Sequence, residues 1–144
     1  MDIAIKALSA AINDPTTAVL AIDQLQRLLR TAGQRSLRTD FIQGPAGTLR
    51  VIFRTPDWHD FVHLAFAEIR LYGASNFQIA RRLRAMVINL ANTLPVERHA
   101  ALREELDLLD RMLEKLHLLP EDLALARVPD SQGLGGSSGL SAPK

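Results

Sequence analysis

The sequence predicts a mainly α-helical domain, a helical bundle of about five helices with one inserted β-hairpin. Over most of the chain the apolar residues recur at intervals of three and four, which is the period of an amphipathic helix. Aromatic residues make up only 5% of the chain, whereas Leu, Ala and Ile are abundant, so the core is expected to consist of aliphatic helix packing. Near residues 37–55 the period changes to that of a strand.

The first two helices are predicted to meet at a polar corner. The first helix is expected over residues 2–12, and Asn13 can adopt the left-handed conformation that ends it. Asp14 is suited to cap the second helix, because its carboxylate can accept the free N–H groups of the first turn. Pro15 fits the first helical position, where no backbone donor is needed. The second helix is then expected to run to about Thr31.

A β-hairpin is predicted around the uncharged turn at residues 44–47, because apolar and polar residues alternate after it. Two strands alone are marginal in water. The hairpin is therefore expected to pack on the helices or to join a sheet that another segment supplies.

Three further helices are predicted after the hairpin. An apolar stripe over residues 58–72 predicts the third helix, which Gly73 ends. Ser75 and Gln78 form the pattern of a capping box for the fourth helix. Pro95 opens the fifth helix, whose leucines have the spacing of a coiled-coil seam: Leu102, Leu106, Leu109, Leu113 and Leu116. This leucine seam is expected to be buried in the core of the domain. The alternative is that it forms the interface of a homo-oligomer.

One helical domain is predicted over residues 1–127, with a last short helical segment that begins at Pro120. Residues 128–144 are rich in Gly, Ser and Pro and are predicted to be a disordered tail.

The composition of the chain argues against several classes of function. The net charge of +1 gives no strong attraction to nucleic acid. Arg81, Arg82 and Arg84 form a basic cluster without interleaved aromatic residues, so a solvated face is expected and nucleic acid is not an expected partner. The chain has no cysteine, which excludes disulfides, thiol catalysis and cysteine-based zinc sites. No cofactor and no catalytic residue are predicted.

Two motifs resemble those of a known family. Residues 7–18 resemble the pattern A-L-S-P-A-x-N-D-P-x-T-A, with Ala10 where the family usually has proline, and residues 65–73 resemble A-F-x-x-I-R-x-Y-G. On these motifs the chain, up to about Arg82, resembles a bacterial family of predicted membrane proteins of unknown function, the domain of unknown function 2254 class.

The resemblance implies a domain that follows several transmembrane helices, on the cytoplasmic side of the bacterial inner membrane in the full-length protein. No segment of this chain has the ~20 apolar residues that a membrane-spanning helix needs. The chain is therefore expected to be a soluble fragment or a member of the family that lost its membrane anchor. Its expected partner is the missing N-terminal membrane segment, which would be its only link to the membrane. An exposed apolar patch or an unpaired strand edge is expected where that segment would contact it.

The corner is the first candidate site. Ser9, Asn13, Asp14, Thr16 and Thr17 gather hydroxyl, amide and carboxylate groups at a helix N-terminus, where they can bind a ligand or a partner's backbone. Structural capping is the favoured account of these residues.

Arg70 and a histidine pair are the other candidates. Arg70 is expected to lie over the edge of the core and to pair with a carboxylate such as Asp14 or Asp23. His59 and His63 have the one-turn spacing of the zinc ligands in H-E-x-x-H proteins. No third ligand can be assigned, so the favoured interpretation is that these two histidines do not bind a metal ion. The predicted function is interaction or regulation without demonstrated chemistry; the alternative is a metal-dependent hydrolase using His59 and His63.

Overall fold

The computed structural model describes residues 1–37, 41–116 and 119–132. Within these residues it has six α-helices and a two-stranded antiparallel sheet, which confirms the mainly helical class with an inserted hairpin. The elements in chain order are α1 (Asp2–Ala7), α2 (Pro15–Gly33), β1 (Phe41–Gln43), β2 (Leu49–Ile52), α3 (Trp58–Gly73), α4 (Phe77–Thr93), α5 (His99–Leu116) and α6 (Pro120–Ala126).

Helix α1 ends at Ala7, earlier than the predicted residue 12. The backbone amide of Asp14 donates to the carbonyl of Ala7 at 2.7 Å, so the chain turns back towards α2. The amides of Ile12 and Asn13 both donate to the carbonyl of Ser9 within this turn. Asn13 has the predicted left-handed conformation, with φ of 45°.

Two other helix starts differ from the prediction. The side chain of Asn76, and not Ser75, caps α4 by accepting from the amides of Gln78 and Ile79. Pro95 precedes a short 3-10 helix, Val96–Arg98, and α5 begins only after it. At the start of α4 the neighbouring Asn76 is as suitable a cap as Ser75. At the start of α5 the chain after Pro95 first forms the tighter turn of a 3-10 helix. Both differences are therefore local.

Helix α4 lies at the centre of the domain and packs against α2, α3, α5 and α6. The buried apolar core has two aromatic members, Phe66 and Trp58, and is otherwise non-aromatic. Its largest fully buried side chains are Ile22, Val62, Phe66, Ile69, Ile79, Leu83, Met86, Leu90, Leu102, Leu109 and Leu113. Three leucines of the predicted seam are thus buried within the chain, and Leu116 is exposed.

The basic cluster of α4 is not the solvated face that the sequence predicted. Arg81 and Arg82 are only 4% and 7% exposed. Arg82 donates from Nε to Asp23 Oδ1 at 2.6 Å and from Nη1 to the carbonyls of Asp130 and Ser131 at 3.0 and 2.9 Å. The prediction of a solvated face was therefore wrong, because acceptors distant in sequence enclose these guanidinium groups.

The C-terminal segment, residues 128–132, lies against α4, although the sequence predicted a disordered tail from residue 128. Arg81 Nε donates to the carbonyl of Val128 at 2.9 Å, and the amide of Asp130 donates to the carbonyl of Arg81 at 3.1 Å. The rest of the predicted tail, residues 133–144, lies outside the described residues.

Trp58 links three elements at one end of the bundle. Its ring is 3% exposed, and its Nε1 donates to the carbonyl of Arg98 at 2.8 Å. The guanidinium of Arg98 lies 5.6 Å from the ring centroid and donates to the carbonyls of Gly33 and Arg35, at the end of α2. A Cβ on Gly33 would lie only 2.7 Å from Leu94 Cδ1, so glycine permits this close packing.

The hairpin pairs Phe41 with Ile52 and Ile42 with Val51, and the pairing register shifts between Ile42 and Gln43. Every residue of both strands is exposed. The hairpin therefore does not bury its strands on the helices, and the alternative expectation, that it joins a sheet supplied by another segment, stays a prediction.

Replacing Trp58 with phenylalanine tests the link at the end of the bundle. Trp58→Phe keeps an aromatic ring but removes the donor to Arg98, so the free energy of unfolding should fall by about 1–2 kcal/mol. Tyr72→Phe is the control because Tyr72 is 61% exposed, and it should change stability by less than about 0.5 kcal/mol. Urea unfolding followed by circular dichroism measures both. Equal effects of the two substitutions would contradict this role of Trp58.

Candidate functional site

The polar corner is held by the cap of α2. Asp14 Oδ1 accepts from the amide of Thr17 at 3.1 Å, and Oδ2 accepts from the Thr17 hydroxyl at 2.6 Å. These two hydrogen bonds hold the pKa of the Asp14 carboxyl below its usual value, since both stabilise the charged form. The capping predicted from the sequence is therefore present.

The other predicted corner residues lie close by on the same turn. Asn13 and Thr16 are exposed, and Ser9 is half-buried with its carbonyl accepting two backbone amides. Five of the six predicted binding residues thus lie together because they are neighbours in sequence. The hydrogen bonds at this corner are those of a turn and a helix cap.

Arg70 lies elsewhere, between α3 and α5. Its Nε donates to Glu105 Oε2 at 3.4 Å, and the other oxygen of Glu105 lies 3.1 Å from His63 Nδ1. The partner predicted for Arg70 was therefore wrong: Asp14 caps α2 and Asp23 binds Arg82. The structure does place Arg70 at the edge of the core, with 11% of its side chain exposed.

Glu105 is the member of this cluster that was not predicted from the sequence. Its side chain is 4% exposed, so its charge is desolvated and requires the guanidinium of Arg70. Glu105 follows Leu102 by three residues and precedes Leu109 by four, on the buried face of α5. A carboxylate at that spacing among core leucines was the available signal.

The histidine pair faces two carboxylates of α5. His63 contacts Glu105, and His59 Nε2 lies 4.0 Å from Glu104 Oε2. Both imidazoles are more than half exposed. Among the described residues no group of three or more metal-ligating side chains is arranged to hold a metal ion. The contact that this cluster provides is the ion pair between Arg70 of α3 and Glu105 of α5, which joins the two helices.

An apolar groove lies between α2 and α3, with a volume of about 520 Å³. Leu28 and Leu64 line it and are 65% and 64% exposed. An exposed apolar patch or an unpaired strand edge was expected where a missing segment would contact the domain; the groove is an exposed apolar surface, and the contact itself stays a prediction. The apolar side chains along the groove are those of Met1, Leu25, Leu28, Leu29, Ala32, Leu37, Phe61, Leu64 and Ala65.

Comparison with known proteins identifies the family. Residues 1–89 match the profile of the predicted membrane protein family DUF2254. The chain belongs to this family. Uncharacterised proteins of Mycobacterium bovis and Mycobacterium tuberculosis are 28% identical to it over 116 residues. That match covers 80% of this chain and 22% of either mycobacterial protein, so the chain spans about a fifth of the length of these relatives.

Neither the description of the DUF2254 family nor the names of the mycobacterial relatives state a chemical activity. No solved structure matches this member of the family. Among the residues that the structure describes, no helix is both long enough and apolar enough to cross a membrane. The membrane-protein description therefore comes from family membership.

The cap of α2 makes a pH-dependent contribution to stability. The pKa of Asp14 is lower in the folded chain than its ordinary value of 3.8, so the unfolded chain binds more protons between the two values. Wild type should exceed Asp14→Asn in stability at neutral pH. That difference should shrink as the pH falls from 3.8 through the folded pKa. Urea unfolding at a series of pH values measures it.

Asp107→Asn is the control for this prediction, because Asp107 is an exposed carboxylate on α5. The stability difference between wild type and Asp107→Asn should not show the acid-dependent decrease that is expected for Asp14→Asn. A stability difference for Asp14→Asn that stays constant down to acid pH would refute the role of the charged carboxylate.

The Arg70 and Glu105 pair generates a second prediction. Arg70→Leu leaves the buried carboxylate without its guanidinium and should lower stability by about 3 kcal/mol. The double variant Arg70→Leu/Glu105→Leu removes both charges and should recover at least about 1 kcal/mol of that loss. Arg103→Leu, an exposed arginine of α5, should change stability by less than about 0.5 kcal/mol. Thermal and urea unfolding report all three; a double variant less stable than Arg70→Leu would be the opposite result.

Proposed function

We propose that this domain is an interaction module of a predicted membrane protein, and that its groove between α2 and α3 binds the apolar face of a helix. The observation that supports the proposal is the exposure of Leu28 and Leu64, both about two-thirds exposed, along one apolar groove. Covering a leucine side chain with apolar surface is worth about 1.5–3 kcal/mol. Covering both leucines therefore favours association, and contacts with the other apolar side chains of the groove must add to it to offset the entropy lost on binding.

A helix suits this groove better than a small polar molecule does. The lining is apolar apart from Thr31 and Arg35, whereas sites for small ligands combine apolar walls with convergent polar groups that fix orientation. The two walls are helices, and a third helix can lay apolar side chains at intervals of three and four into such a groove.

The proposed source of the helix is the remainder of the longer family proteins, since this chain matches only 22% of the length of its mycobacterial relatives. In the full-length protein the proposed location is the cytoplasmic side of the membrane, as the family resemblance implies. The groove would then join this domain to the segments outside it.

Binding of a model helix tests the groove. The probe is a fluorescent amphipathic peptide of leucine and lysine, added to the chain while its fluorescence anisotropy is measured. Wild type should bind it saturably. Leu28→Asp/Leu64→Asp should weaken the affinity at least about tenfold, because each charge prevents apolar contact in the groove.

The matched control is Leu20→Asp/Leu71→Asp. Leu20 and Leu71 lie on the same two helices and are 59% and 61% exposed, but they do not line the groove. The control variant should bind as wild type does. Equal loss of affinity in the two variants, or no binding by wild type, would exclude the groove as the docking site.

A further inference from the structure

The hairpin carries apolar side chains on both of its faces. Residues directly opposite in the antiparallel pair share a face, and successive residues of a strand alternate between faces. Ile42 and Val51 therefore lie on one face, and Phe41 and Ile52 lie on the other. Exposure of the hairpin's apolar residues ranges from 41% for Phe53 to 73% for Ile52.

This distribution favours a fluid apolar environment over a packed protein surface. A second protein that packs on one face of a two-stranded ribbon leaves the other face in water. The interfacial region of a bilayer can cover both faces at once. Its hydrated headgroups can also satisfy the unpaired strand edges, which the hydrocarbon centre cannot do. The hairpin therefore suits a shallow position in the interface.

The charges of the hairpin complement an anionic surface. Over residues 41–56 the charged residues are Arg50 and Arg54, and the turn at 44–47 carries no charge. The Arg54 side chain is 87% exposed, with Asp60 3.9 Å away. A Cβ on Gly44 would lie 2.9 Å from Arg50 Nε, so the Arg50 side chain lies over the turn. Long arginine side chains can reach phosphate groups while apolar neighbours insert more deeply.

We propose that the hairpin is a membrane-contact arm that inserts its apolar side chains into the interface of an anionic bilayer, with Arg50 and Arg54 at the phosphate groups. Membership in a predicted membrane protein family brings such a surface within reach of this domain. The lipid contact is separate from the helix-binding groove and does not depend on it.

Vesicle co-sedimentation of the full chain tests the proposal. Wild type should bind vesicles of phosphatidylcholine mixed with phosphatidylglycerol more strongly than vesicles of phosphatidylcholine alone. Ile52→Ser/Phe53→Ser should reduce binding about tenfold or more, because it removes inserted apolar area. Arg50→Gln/Arg54→Gln should remove the preference for the anionic vesicles while keeping the apolar side chains.

Two controls make the result specific. Leu20→Ser/Leu71→Ser removes a similar exposed apolar area outside the hairpin and should leave binding unchanged. Leu28→Ser/Leu64→Ser, which adds no charge to the chain, should also leave it unchanged, and this separates the arm from the groove. Because the strands are exposed, the hairpin variants are expected to retain the wild-type circular dichroism spectrum.

Three outcomes would overturn the proposal. The first is no binding of wild type to either vesicle, and the second is equal binding by wild type and Ile52→Ser/Phe53→Ser. The third is a concentration-dependent dimer in sedimentation velocity without lipid that Ile52→Ser/Phe53→Ser abolishes, which would assign the hairpin to a second copy of the chain. If the serine variant does not fold, the anionic preference and its loss in Arg50→Gln/Arg54→Gln decide the question.

Discussion

The burial of α4 is the constraint on which the rest of the domain depends. A helix enclosed by its neighbours cannot hydrate its charged side chains, and an uncompensated buried charge costs several kcal/mol. Arg82 obtains acceptors from α2 and from the C-terminal segment, and Arg84 obtains Asp110 from α5. Asp110 is shared with Arg127, at the end of α6. These charged contacts therefore help to fix how α2, α5, α6 and the C-terminal segment are placed around the central helix.

The helices could be predicted because their signals are local. Asp14 and Pro15 mark the start of α2, and the apolar period with Gly73 marks α3. The burial of Arg82 could not be predicted in this way, since its partner Asp23 is 59 residues away in sequence. Glu105 carried a readable signal in its position among core leucines, yet pairing it with Arg70 required the packing of α3 on α5.

The polar corner and the two apolar surfaces differ in whether their side chains are used by contacts within the fold or are exposed to water. At the corner, the carboxylate of Asp14 is occupied by Thr17, so its polar groups largely serve the turn itself. The groove and the hairpin instead leave large apolar side chains in water, at a cost in hydration free energy that folding alone does not recover. We assign the proposed contacts with an apolar helix and with lipid to these two surfaces.

The contact of Arg82 with the C-terminal segment has a practical consequence for defining this domain. The family match stops at residue 89, inside α4, and a boundary drawn there cuts the central helix. A boundary at the end of α6 is also too short, because the carbonyls of Asp130 and Ser131 complete the coordination of a buried guanidinium. A truncated version of the chain must therefore include Ser131 to keep both of these carbonyl acceptors for Arg82.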